Sequence, residues 1–394
     1  MPLAALARSL ILVAAATLGL AGCASPPKGP PEAVAPLWHD EAFAPPSQPV
    51  KAEDVFALSP EMIQYLDHDI NRHLRRNGRQ RGLIDALYDR DLLRLDYDAA
   101  TTRTAAQAFA ARSGNCLSLV IMTAALAKHL GLPVTFQSVD VEDSWTRGNS
   151  LLLVAGHVNL VIGPRMLDRA GGIGNDTSTT IDFLPPQDLR GRRVSVVSES
   201  RVLAMFFNNR AAETMAKGEL DEAYAWTKAS LAQDQSFSSA QITLGVIYHR
   251  RGLLDAAEAA FRHALRAEPN NTQALADLAS VLFSQGRDVE AQQVKQALAR
   301  LETYPPFYFF ELGRAAVQRG DFEAGRAWLK RELSRDPDYH EVHFWLALAY
   351  RGLGDMSAAR RHLSIALANS TTRGEHDLYA AKLDRLQAQA RATQ

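Results

Sequence analysis

The chain has 394 residues, with 43 basic and 44 acidic side chains, a formal net charge of −1, and 47% hydrophobic and 22% charged residues. That is the composition of a globular protein of two or three domains with enough apolar residues for sizeable cores. No net basic charge and no Lys/Arg run of the kind that grips a phosphate backbone is present, so nucleic acid is not an expected partner.

In chain order, Arg8 is the only basic side chain of the first 23 residues, and residues 9–21 form a short apolar run that ends at Leu20-Ala21-Gly22-Cys23. The run is too short to span a bilayer, which takes roughly 20 residues, and reads as a cleaved export signal over residues 1–23. Small residues directly before a cysteine resemble the lipobox of bacterial lipoproteins. That resemblance implies acylation of Cys23, and Ala24 after it implies an outer-membrane address facing the periplasm. An ordinary signal peptide and a soluble secreted protein is the alternative. Residues 24–51 carry eight prolines and little apolar periodicity, which predicts an extended, semi-rigid tether.

A first folded domain is expected over residues 52–200. Ser59 followed by Pro60 reads as a helix start, with Ile63, Leu66, Ile70 and Leu74 at helical spacing. A second helix is expected over residues 82–93, a third over residues 99–111 capped by Asp98, and a fourth over residues 115–130, stopped by Gly131 and Pro133. The fourth is apolar nearly all round and therefore belongs inside the domain. Beyond it the period changes to two, and residues 134–141, 151–162 and 179–184 read as strands. The glycine-rich residues 170–176 fit no phosphate-loop pattern and read as a connection between strands.

From about residue 204 a repeat takes over. Gly218, Gly252, Gly286, Gly320 and Gly354 are spaced by 34 residues, and five residues after each comes Ala223, Ala257, Ala291, Gly325 or Ala359. The second copy is the fullest, with Leu244, Gly245, Tyr248, Gly252, Ala257, Phe261, Ala264 and Pro269. This resembles the tetratricopeptide repeat, a helix-turn-helix of that period, in five copies over residues 204–373. Residues 374–394 supply a closing helix and tail. The resemblance implies a curved, all-α solenoid whose groove binds extended or helical peptide segments. Val246, Phe283, Phe307, Phe310 and Phe344 are the candidates for lining it.

The chain holds two cysteines. If Cys23 carries lipid, Cys116 has no partner in the chain, and an unpaired thiol in an oxidising compartment is a liability unless buried or used. Cys116 falls in the first turn of the apolar helix, where unsatisfied backbone N–H groups and the helix dipole favour an anion. His157 on the strand Gly156-His-Val-Asn-Leu-Val-Ile162 is the candidate base, and Asp182 in Thr180-Ile-Asp-Phe-Leu184 the candidate acid. Antiparallel pairing of these strands would set the two side by side. A cysteine at a helix start, then a histidine and an aspartate on successive strands, resembles the transglutaminase-like superfamily of papain-type folds over roughly residues 97–186. The closest likeness is Ala111-Arg-Ser-Gly-Asn-Cys-Leu-Ser118. The resemblance implies an α+β domain with Cys116 as nucleophile, His157 as general base and acid, and Asp182 as the orienting carboxylate. The oxyanion would meet the Cys116 backbone N–H and a second donor, for which Gln137 is the first side chain to test. Asp168 and Asp176 remain alternatives for the acid.

The leading functional expectation is a lipid-anchored cell-envelope protein that hydrolyses or transfers peptide or protein amides through Cys116 and recruits its partner with the repeats. The second is a non-catalytic scaffold that binds envelope proteins through the same repeats. No cofactor or metal is expected: His340 and His343 stand three apart, but neither HExxH nor a Cys/His ligand set accompanies them. A redox role lacks a CxxC or a resolving cysteine.

Overall fold

The computed structural model describes residues 38–394 except 48, 89–92, 94, 100, 140–144, 149–150, 155–156, 164–177, 184–193, 302–303, 305–306, 371–372 and 393–394, and among the side chains it omits those of 145–148, 151–154, 373 and 389–392. The export segment, Cys23, the start of the tether, the glycine-rich stretch, Asp168 and Asp176 lie outside the described residues.

Ser59 caps the first helix by accepting the Met62 N–H at 3.3 Å. This helix, α1 (Pro60–Gln64), runs into a wider π turn at Tyr65–Asp69. The extra residue in that turn shifts the helical phase: Met62, Leu66 and Ile70 are buried, whereas Ile63, expected on the inner face, is 38% exposed. Next come α2 (Asn71–Asn77) and α3 (Arg79–Tyr88). The third expected helix is shorter than its pattern, α4 (Ala105–Ala111), and is capped not by Asp98 but by Thr104, whose hydroxyl and Gln107 form a reciprocal capping box. Asp98 pairs instead with Arg103 at 2.9 Å. The central helix α5 (Cys116–His129) is apolar all round, and every residue from Leu117 to Ala127 is buried.

The main sheet has four strands in the order β7 (Thr179–Ile181), β6 (His157–Ile162), β3 (Val134–Val139), β8 (Val194–Val197), with every neighbouring pair antiparallel. Two smaller pairs stand apart: β1 (Asp96–Tyr97) runs parallel to β2 (Ser113–Gly114), and β4 (Trp145–Gly148) pairs antiparallel with β5 (Leu151–Val154). One core joins Leu119, Val120 and Ile121 of α5 to Phe136, Val158, Leu160, Ile162 and Ile181 of the sheet. The first part of the chain is thus a small antiparallel sheet packed against a buried helix.

Longer helices follow as antiparallel hairpins: α6 (Glu199–Ala216) with α7 (Leu220–Gln233), α8 (Ser238–Arg251) with α9 (Leu254–Ala267), α10 (Thr272–Ser284) with α11 (Asp288–Leu301), α12 (Tyr308–Gln318) with α13 (Phe322–Leu333), and α14 (His340–Gly352) with α15 (Met356–Ala368). The glycines spaced by 34 end the first helix of each hairpin at φ between 73° and 85°, and an added Cβ there would meet nothing within 4 Å. Backbone conformation, not space, fixes glycine at these turns. Gly245 has the opposite reason: its Cβ would stand 2.6 Å from the Phe261 ring, so the two helices of that hairpin meet at a small residue. The closing helix α16 (Arg373–Ala392) buries Tyr379 and Leu386 against the last hairpin. Among the described residues no helix is long and apolar enough to cross a membrane.

The boundary between the two parts is shared. Val202, Phe206 and Phe207 of α6 belong to the core of the first domain, and Trp226 and Ala229 of α7 pack on it. Residues 38–47, expected within an extended tether, are instead folded against the first two hairpins through Trp38, His39, Asp40 and Phe43. Proline content fits an extended spacer, but those side chains find partners some 180 residues away.

Candidate functional site

Four local devices position Cys116. The Asn115 side chain caps α5, accepting the Ser118 N–H at 2.9 Å and its hydroxyl at 2.7 Å. Asn115 Nδ2 donates to Thr102 Oγ1 at 2.8 Å, and Ser118 Oγ accepts the Arg103 N–H at 2.8 Å, so the turn is tied to the irregular segment that leads into α4. At Gly114 a Cβ would come within 2.6 Å of Ser118 Cβ, which is why the residue before the cap has no side chain. Arg112 holds a left-handed conformation at φ 51° to turn the chain out of α4. Cys116 itself is partly exposed.

His157 and Asp182 come from neighbouring strands. Pairing of Leu160 with Ile181 places Asp182 across from Asn159 and diagonal to His157. His157 Nε2 lies 2.8 Å and 3.0 Å from the two carboxylate oxygens of Asp182, and Asn159 Nδ2 donates to the same carboxylate at 2.8 Å. The face of β6 that carries His157 and Asn159 is buried: they are 3% and 4% exposed. Burial pushes the imidazole towards its neutral form, but hydrogen bonds to Asp182 and Cys116 and the charges of both outweigh it, so His157 is pushed up to about 9. Nδ1, the nitrogen not used by Asp182, is buried and makes no hydrogen bond of ordinary geometry. The Cys116 thiol nevertheless acts on this ring, as one of the groups that favour its protonated form.

Tyr97 is the site residue that the sequence reading missed. Its proton is held well above the usual tyrosine range by burial first and by the charge of Cys116 second, which sets the phenol beside the thiol. It is carried by β1, where Tyr97 pairs with Gly114. A strand of two residues leaves no periodicity in sequence, so only an aromatic residue shortly before the RSGNC turn could have drawn notice. Gln137, the expected second oxyanion donor, lies on the sheet face of His157, opposite Asn159. No hydrogen bond links it to Cys116 among the described residues. Of the three candidate acids, Asp182 is the one within the described residues, and it faces His157.

The groove candidates separate. Phe310 is fully buried and Phe307 is 7% exposed, both inside the core formed with Val342, Leu346 and Leu363. Phe307 also precedes α12 instead of standing on it, in a left-handed conformation. These two are a correction: they fill the space between hairpins and do not line a groove. Phe344 is half-buried and stacked at 5.1 Å on Tyr379 of the closing helix. Val246 is half-buried, and Phe283, 37% exposed, carries Lys295 Nζ over its ring at 4.2 Å.

Comparison with known proteins agrees with the helical half. The tetratricopeptide repeat family matches residues 215–272, 242–305 and 310–373. Cellulose synthase 1 operon protein C of Komagataeibacter xylinus is 32% identical over 168 residues, which is 39% of this chain and 12% of that protein. The chain thus spans about an eighth of the length of the curated relative. Similar solved structures include YrrB, a TPR protein with an unusual peptide-binding site, at 22% identity over 46% of this chain and 92% of that one, with a TM-score of 0.25. PilW, a type IV pilus biogenesis factor, is 20% identical over 50% of this chain and 90% of its own, with a TM-score of 0.26. A thermophilic TPR protein of Thermus thermophilus is 19% identical over 46% of this chain and 98% of its own, with a TM-score of 0.27. By the family match, residues 215–305 and 310–373 are tetratricopeptide repeats.

Proposed function

We propose that this protein is a repeat scaffold that binds a protein partner and presents it to a thiol-dependent acyl-transfer site at Cys116. The observation that carries the catalytic part is the imidazole of His157: one nitrogen is held by both oxygens of Asp182, and the other is buried, unpaired and within the influence of the Cys116 thiol. Such an arrangement fixes which nitrogen serves the sulfur. A histidine that merely filled a core would not need a bidentate carboxylate on one side and an unmet nitrogen on the other.

The reaction begins with attack of the Cys116 thiolate on a carbonyl carbon, forming an S–C bond, while the imidazolium of His157 gives its proton to the departing amine. Breaking of the C–N bond leaves a thioester. Water, losing a proton to His157, then cleaves the thioester to a carboxylic acid and returns the thiol; an amine in place of water gives a new amide. The Tyr97 hydroxyl and the Cys116 N–H are the two groups that would meet the oxyanion, in place of Gln137. Asp182 orients the ring, and Asn159 holds Asp182.

A second reading, a scaffold whose cysteine site no longer turns over, is favoured by the family match, which falls on the repeats. Anchoring of this protein in the cell envelope through a lipid on Cys23 belongs to the same proposal, supported by the small residues before that cysteine. Labelling with a thiol-directed acyl probe decides between the readings. The wild-type chain should form a thioester at Cys116 that water or an added amine then resolves, Cys116→Ala should form none, and His157→Gln should slow formation by at least about tenfold. Equal labelling of wild type and His157→Gln removes the catalytic reading and leaves the scaffold.

A further inference from the structure

Residues 38–47, Trp-His-Asp-Glu-Ala-Phe-Ala-Pro-Pro-Ser, lie across the start of the solenoid as a short strap. The only regular structure in it is a three-residue turn, Asp40–Ala42, and none of its residues is fully buried. It contributes little to any core, yet its contacts are dense and directed. Three of its backbone N–H groups are taken by solenoid side chains: His39 by the Tyr224 hydroxyl at 3.2 Å, Ala44 by Asp221 Oδ1 at 3.1 Å and Ser47 by Glu222 Oε1 at 2.6 Å. Phe43 stacks on Tyr224 at 4.0 Å with planes 10° apart, and the Arg251 guanidinium lies 4.7 Å from its centroid. Asp40 accepts from the Tyr224 hydroxyl at 2.8 Å and from Lys228 Nζ at 2.6 Å. His39 sets its ring edge-on to Tyr248 at 5.4 Å.

Main-chain amides read by fixed carboxylates, with one acidic and one aromatic side chain held at set positions, is how a folded surface recognises a peptide. The surface is a different one from that of the groove candidate Val246. Tyr224, Lys228, Asp221 and Glu222 stand on α7, the second helix of its hairpin, and Tyr248 stands two residues after the groove candidate Val246, about 200° around α8. We propose that this surface is a second peptide-binding site, held in cis by residues 38–47, and that a protein partner carrying an acidic residue three positions before an aromatic one docks there by displacing the strap.

Each strap contact is of the exposed or half-exposed kind, weak by itself. Linkage to the same chain raises the local concentration of the strap to roughly the millimolar range, which is enough to keep a weak ligand seated and low enough for a tighter one to replace it. Displacement is local, because Val50, Ala52 and Val55 secure the following chain in the first domain's core. The backbone contacts tolerate many sequences, whereas Lys228 and the Tyr224–Arg251 pair select the acidic and aromatic positions.

The test uses the full chain and a fluorescein-labelled peptide with the sequence of residues 38–47, read by fluorescence anisotropy. The Asp40→Asn/Phe43→Ala variant, whose strap has lost both specific side chains, should bind the peptide at least about tenfold more tightly than wild type. Adding Tyr224→Ala to that variant should remove the gain, and a peptide lacking its own Asp and Phe should not bind. Asp40→Asn alone, which leaves every ring in place, should show part of the gain, and this guards against loss of fold in the double variant. No gain on releasing the strap, or binding that survives Tyr224→Ala, overturns the proposal. A Cys116→Ala background should change none of these values, so the outcome is independent of the catalytic reading.

Discussion

Replacing Asp182 by Asn tests the physical basis of the cysteine site. In the wild-type structure His157 is pushed from the 6.5 of a free histidine up to about 9, a preference for the imidazolium of about 3 kcal/mol. That balance is a contest. Burial favours the neutral ring, and it loses to the hydrogen bond and charge of Asp182 together with those of Cys116. Asp182→Asn keeps the shape but removes the carboxylate charge, while burial at 3% exposure stays. The midpoint should fall to about 6.5 or below, a loss of more than about a hundredfold in proton affinity. The sign for stability follows from the raised value: His157 stabilises the folded chain fully below about 6.5, and that contribution is lost as pH rises through about 9. Asp182→Asn should remove this dependence. Ring-labelled histidine followed by NMR across about pH 5–10, with His157→Gln to assign the signal, reads both midpoints. A wild-type midpoint near or below about 6.5, or one unmoved by Asp182→Asn, refutes the arrangement of charge proposed for the site.

Three further outcomes test the frame around it. Gly114→Ala drives a Cβ to 2.6 Å from Ser118 Cβ, which hydrogen bonds to Asn115 and Arg103 hold in place; it should cost about 2 kcal/mol in thermal unfolding and slow alkylation of Cys116 by iodoacetamide. Glu332, 4% exposed, accepts the N–H groups of Phe309 and Phe310 at 3.0 Å and 3.1 Å and so caps α12, which Phe307 cannot do. Glu332→Ala should destabilise the solenoid by about 2–4 kcal/mol and speed amide exchange at those two residues, with Glu332→Gln losing less. Burial alone raises the Asp277 carboxyl to about 7, and one of its oxygens has no partner. Its folded form therefore holds a proton that the unfolded chain gives up, and the associated stability fades as pH climbs through about 7. Asp277→Asn should raise the melting temperature more at about pH 8 than at about pH 6, and an equal effect at both would show that the carboxyl is already ionised.

The repeats were legible because their signal is a backbone requirement. Each glycine spaced by 34 sits in a left-handed turn that few other residues tolerate, so the period survives whatever packs around it. Face assignment on those helices was less legible. Phe283 and Phe310 look alike in sequence, yet one is 37% exposed and the other wholly enclosed, because the neighbouring hairpin decides which side is covered. At the site, Asn115 and the apolar helix behind it could be read from local rules, and strand alternation put His157 and Asp182 within reach. Tyr97 and Asn159 could not be read that way. The first comes from a strand too short to have a period, and the second takes its role from the register that sets Asp182 opposite it. The strap shows the same limit: prolines fit a spacer, and only Tyr224 and Lys228, far along the chain, make it a ligand.

The two halves of the chain share more than a boundary. Glu213, near the end of α6, accepts the Thr102 N–H at 2.6 Å and is itself held by Arg210 at 2.7 Å. Thr102 receives the amide of Asn115, and Asn115 caps the helix that begins with Cys116. The first helix of the solenoid therefore supports the turn that presents the thiol, through consecutive direct hydrogen bonds. Phe206 and Phe207 on the same helix fill the first domain's core, which fixes the helix against rotation. A displacement of α6 would have to move either that core or the cap of the Cys116 helix. The strap is bound on α7, the other helix of this hairpin, so occupancy of the strap surface and the setting of the thiol meet in one structural unit.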